Sequence, residues 1–201
     1  MFSWLVKKNQ NARVHMCIKE VKWTLETFDP VRRATILVMA SGISEDLFDN
    51  EDIGIPLDVV NRPLDYSRND LMGFYEILED VHNNQALQRQ QTKKMLVQMG
   101  MEFPEFAEEN AKDANTALNI WMVTVGSGIV IDRRDDVRDI WRLLIDSRPF
   151  IADAITHILQ IQELTAQMTG QEVEIMDEES VDIMKQLSNF CPEQFSKELN
   201  I

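Results

Sequence analysis

Val14, Ile18, Val21, Leu25 and Phe28 follow one another at spacings of four, three, four and three residues. Those steps align all five side chains along one stripe of an α-helix, whereas a strand would scatter them over both faces. The pattern predicts a helix over roughly 10–28 with a heptad seam, and a seam of this kind has to be covered by a core or by another helix. Only 7 Gly and 6 Pro are spread over 201 residues, too few for the many turns of an all-β fold.

The rest of the chain reads the same way. Asp29 before Pro30 has the form of an N-cap with proline in the first helical position, so VRRATILVMA is expected to be helical up to Gly42. Leu71, Phe74, Leu78 and Val81 step three, four and three; they predict a third helix over 68–82 that continues towards Met99, with a break at HNN. Pro104 opens a fourth helix. Val137, Ile140, Trp141 and Leu144 mark a fifth, capped by Asp132 and closed before Pro149. The wide apolar face from Ile151 to Leu164 suggests that the sixth is central. Gly170 ends it, and in QEVEIMDEE the alternation of Val173 and Ile175 is too brief to demand a strand. A last helix over 178–190 packs Val181, Met184 and Leu187. The expected fold is all-α: a single domain of six to seven helices in an antiparallel bundle-like array, with a hinge or functional loop over 49–67.

One stretch invites other readings. NIWMVTVGSGIVID, residues 119–132, is apolar but falls short of the roughly 20 residues that a membrane-crossing helix needs. Read as a dinucleotide loop it offers Gly126 and Gly128, but Ile131 stands where the third glycine belongs. ILVMASGIS, near residue 40, has the same Ser-Gly-Ile ending. Gly42 with Ile43 and Gly128 with Ile129 therefore both read as Schellman helix ends, a short strand being the alternative for the second.

Charge bounds the partners. Lys and Arg number 20 against 34 Asp and Glu, a formal net charge of −14, which disfavours nucleic acid and anionic lipid and points to a protein partner of basic character. Cys17 and Cys191 are far apart and in no metal or redox spacing, consistent with a reducing cytoplasm. Lys7 and Lys8 follow the first apolar residues rather than precede them, so the start of the chain is not a signal peptide. Phe2, Trp4, Leu5 and Val6 ahead of these lysines form a candidate interfacial anchor, although a terminus docked on the core is the expected arrangement.

Several spacings bear on chemistry. Asp49, Glu51 and Gly54 fall at positions 1, 3 and 6 of an EF-hand-type loop, but Val60 occupies the position that must supply a bidentate carboxylate. Glu79 and His82 make one Glu-x-x-His element, and a di-iron bundle requires two. Glu76 and Glu79 on one helix, with Glu105 and Glu108 on the next, could gather Mg²⁺ against a nucleotide's phosphates, with His82 beside them. This arrangement is similar to that of the all-α nucleoside triphosphate pyrophosphohydrolases of the MazG and dimeric dUTPase type, with Glu108 where that pattern ends in Asp. Arg134, Arg138 and Arg142 are interleaved with Asp135, Asp136 and Asp139, which favours local ion pairing over a phosphate site.

From Asn83 to Met101 the chain holds no acid, only Arg89, Lys93 and Lys94 among glutamines, a contrast that suggests contact with an acidic partner or another copy. No GxxxxGK[ST], HExxH or GxSxG motif occurs. The expectation is a cytoplasmic helical protein-interaction module, an adaptor, regulator or inhibitor-like partner without catalysis of its own, for which the first heptads admit a homodimer. The alternative is a Mg-dependent all-α nucleotide pyrophosphohydrolase-like hydrolase using Glu76, Glu79, Glu105 and Glu108.

Overall fold

The computed structural model describes residues 2–100, 102–169 and 178–200. Their secondary structure is helical: α1 (Phe2–Thr27), α2 (Pro30–Leu47), the single turn α3 (Asp58–Asn61), α4 (Arg68–Gln98), α5 (Glu105–Gly126), α6 (Arg134–Asp146), α7 (Ile151–Thr169), α8 (Glu178–Leu187) and α9 (Glu193–Leu199). Phe48 and Ile55 make an isolated bridge and no strand. The fold is an all-α bundle, as expected from the apolar periodicity.

The α1 seam does cover the core, with Val14, Ile18, Val21 and Leu25 all buried. The seam packs within the chain and is not an exposed surface. Asp29 caps α2 as its sequence implies, its carboxylate accepting from the Arg32 backbone N–H at 3.0 Å. Ser67 does the same for α4, accepting from Asp70 N–H at 3.2 Å. α4 then runs unbroken through HNN to Gln98, and Gly100 at φ +74° turns the chain out of it.

The central helix is α5, not the sixth helix that the apolar count favoured. Residues 120–127 are buried on every side, and α5 packs against α1, α2, α4 and α7. α7 keeps one face in solvent, with Leu164 exposed. Trp121 sits at the middle of the core. Its indole Nε1 donates to the Ala40 carbonyl at 2.8 Å, and its ring lies edge-on to Phe48 at 5.2 Å and tilted against Trp141 and Phe190. Trp141 donates in turn to Thr124 Oγ1 at 3.0 Å, so both buried indoles are satisfied.

Neither expected Schellman end is present. α2 continues through Gly42 to Leu47, and Gly128 does not take the left-handed conformation. Gly126 and Gly128 are needed for space. A Cβ on Gly126 would stand 2.7 Å from Val14 Cγ1, and one on Gly128 would stand 2.7 Å from Leu71 Cδ1 and 2.9 Å from the Pro63 carbonyl oxygen. Asp132 is not the cap of α6: a 3₁₀ turn over Ile131–Arg133 leads in, and no side chain caps the helix.

The 49–67 segment carries Ile55, Val59 and Val60 into the core. Asp49, at φ +54°, accepts from Leu57 N–H at 2.9 Å, and Gly54 turns at φ +72°. The last predicted helix is α8, and a further helix that the sequence reading does not place, α9, follows it and buries Phe195. Gly170, Val173, Ile175 and the side chains of residues 1–7, on which the anchor rests, lie outside the described residues. Among the described residues no helix is long and apolar enough to cross a membrane.

Candidate functional site

α4 and α5 are joined by the short connection 99–104 and run antiparallel, because Lys93 pairs with Glu108 while the earlier Arg89 reaches the later Asn115 at 2.8 Å. The N-terminal half of α4 buries Leu71, Met72, Tyr75 and Leu78. Beyond it the packing changes. Among the described residues from 83 to 112, none is buried, so the C-terminal half of α4 and the start of α5 form a helical arm whose α4 side stands off the bundle, while Phe106 and Glu109 on its α5 side border a cleft shared with α2 and α7. Leu87, Met95, Val97 and Met99 on this arm are each more than half exposed. Its α4 side is the acid-free stretch, with Arg89, Lys93 and Lys94 as its charges, while its α5 side carries Glu102, Glu105, Glu108, Glu109 and Lys112.

The two glutamate pairs do not converge on the arm or elsewhere. Glu76 and Glu79 turn to Arg13 of α1, at 3.6 and 3.1 Å, while Glu108 is held by Lys93 and lies against it rather than near Glu79. Fourteen residues of one continuous helix separate Glu79 from Lys93, about 21 Å at 1.5 Å per residue. Among the described residues no three His, Cys, Asp or Glu side chains are grouped to hold a metal ion. Glu76 and Glu79 are therefore not brought together with Glu108 in this structure. The cause is local: Arg13 on α1 draws Glu76 and Glu79, and Lys93 on α4 draws Glu108.

His82 instead lines a cleft of about 450 Å³ at the root of the arm, with Glu20, Trp23, Thr27, Lys112 and Asn115. Trp23 is two-thirds exposed on its rim. On the other side of α5 a cleft of about 300 Å³ opens between α2, α5 and α7, with Asp29, Arg32, Glu109, Asp113 and His157 around it and Phe106 in its wall. Its floor is an ion pair. Arg32 Nε donates to Asp113 Oδ1 at 2.9 Å and Oδ2 at 3.3 Å, and its guanidinium carbon lies 4.0 Å over the Phe28 ring.

Asp113 is the one buried carboxylate of this cleft, and desolvation pushes its pKa up against the opposing pull of Arg32. A carboxyl group whose pKa is higher folded than unfolded favours the folded state more as pH falls. Relative to an Asp113→Asn variant, the protein should therefore gain stability between neutrality and the ordinary carboxylate range near pH 4. Urea titrations of both forms across that window measure it. The pair escapes a motif-based reading because its members are 81 residues apart. The available signal is that Asp113 shares one helical stripe with Thr116, Ala117 and Ile120, where an acid is out of place.

The remaining candidates resolve into local chemistry. Arg138 and Arg142 pair with Asp135 and Asp139 three residues back, and Arg134 reaches Glu198 of α9 at 2.5 Å. Lys22 of α1 holds Asp136 and Asp139 at 2.8 and 3.0 Å, joining α1 to α6. Cys17 and Cys191 are free thiols, and burial pushes their pKa values up to about 12 and about 11, far from the thiolate a nucleophile needs. No family model, curated protein or solved structure matches the chain.

Proposed function

We propose that this chain is a helical protein-interaction module of the cytoplasm, an adaptor, regulator or inhibitor-like partner, which works by presenting the 83–112 arm rather than by catalysis. The observation that carries the reading is the arm itself. Helices in water draw most of their stability from packing an apolar face, and none of the described residues from 83 to 112 is buried within the chain. Exposed Leu87, Met95, Val97 and Met99 supply the apolar contact area a partner would cover. The acidic body, at −14 overall, adds long-range attraction for a partner of basic character.

A double variant, Leu87→Gln with Met95→Gln, changes only exposed positions and should leave the melting temperature within about 2 °C, since surface substitutions cost within about 0.5 kcal/mol. Affinity purification of both forms from cells that carry the protein should yield at least one protein in near-equimolar amount with the natural chain and not with the variant. Identical co-purifying sets would contradict the reading. So would Mg²⁺- or Mn²⁺-dependent hydrolysis of nucleoside triphosphates that is lost in Glu79→Ala.

A further inference from the structure

We infer that one partner of the arm is a second copy of this chain, whose acidic cleft receives the arm's basic, apolar helix; this rests on the interaction reading above and names its partner. The complementarity lies within one sequence. The α4 helix of the arm carries Arg89, Lys93 and Lys94 with no acid between Asn83 and Met101; Arg89 reaches Asn115 and Lys93 pairs with Glu108 in the same chain, so Lys94 is the charge directed outward. The cleft between α2, α5 and α7 carries Asp29, which caps α2, Asp113, which pairs with Arg32, and the exposed Glu109, with His157 also in its lining and Phe106, Ile161 and Leu164 as its apolar wall.

The two surfaces cannot satisfy each other in the same molecule. α4 meets α5 on the side of Glu108 and Asn115, whereas the cleft is built on the side of Phe106, Glu109 and Asp113. At 100° per residue these two sides of α5 face away from one another, so α4 cannot reach across into the cleft. Another molecule can. Lys94 shares the outward face of the arm with Leu87 and Gln91, opposite the Arg89 and Leu96 face that rests on α5. In the cleft of a second chain Lys94 meets the exposed carboxylate of Glu109, and Leu87 and Met95 lie along Phe106 and Leu164. Both ends of the contact are present on every copy, so the association closes into a dimer or ring or extends, according to the rotation between copies.

Light scattering on the full chain tests the inference. At low salt the mass should rise with concentration from 23.3 kDa to at least twice that value, and high salt should reverse the rise as the charges are screened. Lys94→Glu and Glu109→Lys should each weaken association about tenfold or more, through like charges placed in contact. An equimolar mixture of the two variants should associate again, because the carboxylate introduced by one substitution then faces the ammonium introduced by the other, the same ion pair with its signs exchanged. A mass fixed at 23.3 kDa up to about 100 μM, a concentration well above the range of ordinary specific complexes, overturns the inference. So does association that both variants leave intact. Either result leaves the broader reading standing if purification still yields another protein that depends on Leu87 and Met95, and removes both if it does not.

Discussion

Trp121→Ala should lower stability by about 3–5 kcal/mol, the range for deleting a fully buried large aromatic. For a chain of this length that corresponds to a melting temperature lower by about 10–15 °C. Three losses add up. The indole is 1% exposed and leaves a cavity at the centre of the bundle. Its contacts with Phe48, Trp141 and Phe190 disappear together, so α2, α6 and the segment after α8 lose their common neighbour. The Ala40 carbonyl, which accepts from Nε1 at 2.8 Å, also loses a partner inside a helix that is otherwise buried there. Thermal denaturation followed by far-ultraviolet circular dichroism measures the effect. Trp121→Phe keeps most of the ring contacts but not the hydrogen bond, and should fall between the two.

The second large effect separates two glycines that look alike in sequence. Gly128→Ala should destabilise the fold by about 1–3 kcal/mol, because overfilling a packed site forces its neighbours to move. The added Cβ would stand 2.9 Å from the Pro63 carbonyl oxygen, and backbone cannot rotate away as the tip of Leu71 could. Gly42→Ala should act in the opposite direction. Gly42 is exposed inside α2 with nothing within 4 Å of a new Cβ. Alanine there should stabilise by about 0.5–1 kcal/mol through helix propensity alone. Parallel melts should show Gly128→Ala below and Gly42→Ala above the natural chain; equal shifts of the two variants would contradict the packing account.

These glycines also show what can be read in the sequence. Ser-Gly-Ile occurs at both places, and local rules give both the same helix end. What distinguishes them is the chain lying opposite, Pro63 and Leu71 in one case and solvent in the other. Contacts of that kind are absent from local pattern. Periodicity, by contrast, is local, and it locates the α1 seam, the Asp29 cap and the apolar stripe of α6 with little error. It misjudges the central helix. α7 has a wide apolar face, but in α5 Ile120 to Gly126 is apolar on all sides apart from Thr124, whose hydroxyl is satisfied by the Ile120 carbonyl. A face marks a helix beside the core, whereas the all-round run marks one inside it.

The site follows the same division. The acid-free stretch is visible as composition, and it covers the first part of the segment in which no described residue is buried. The Arg32–Asp113 cleft is not visible, since it is assembled from α2, α5 and α7. The glutamate pairs are visible but misleading. Glu-x-x-Glu spacing places two carboxylates on one helical face, yet it cannot show that Arg13 and Lys93 from other segments will claim them separately.

The claim that the arm is an interaction surface can be put to one direct measurement. A photoreactive residue placed at Gln91, on the exposed outer face of the arm, should on illumination in cells join the chain covalently to a protein of defined mass, a second copy included. The same residue at Asp182, exposed on α8, a helix that packs against α2 and α7, should give little or no such product. No adduct at Gln91, or the same adducts from both positions, would contradict the account.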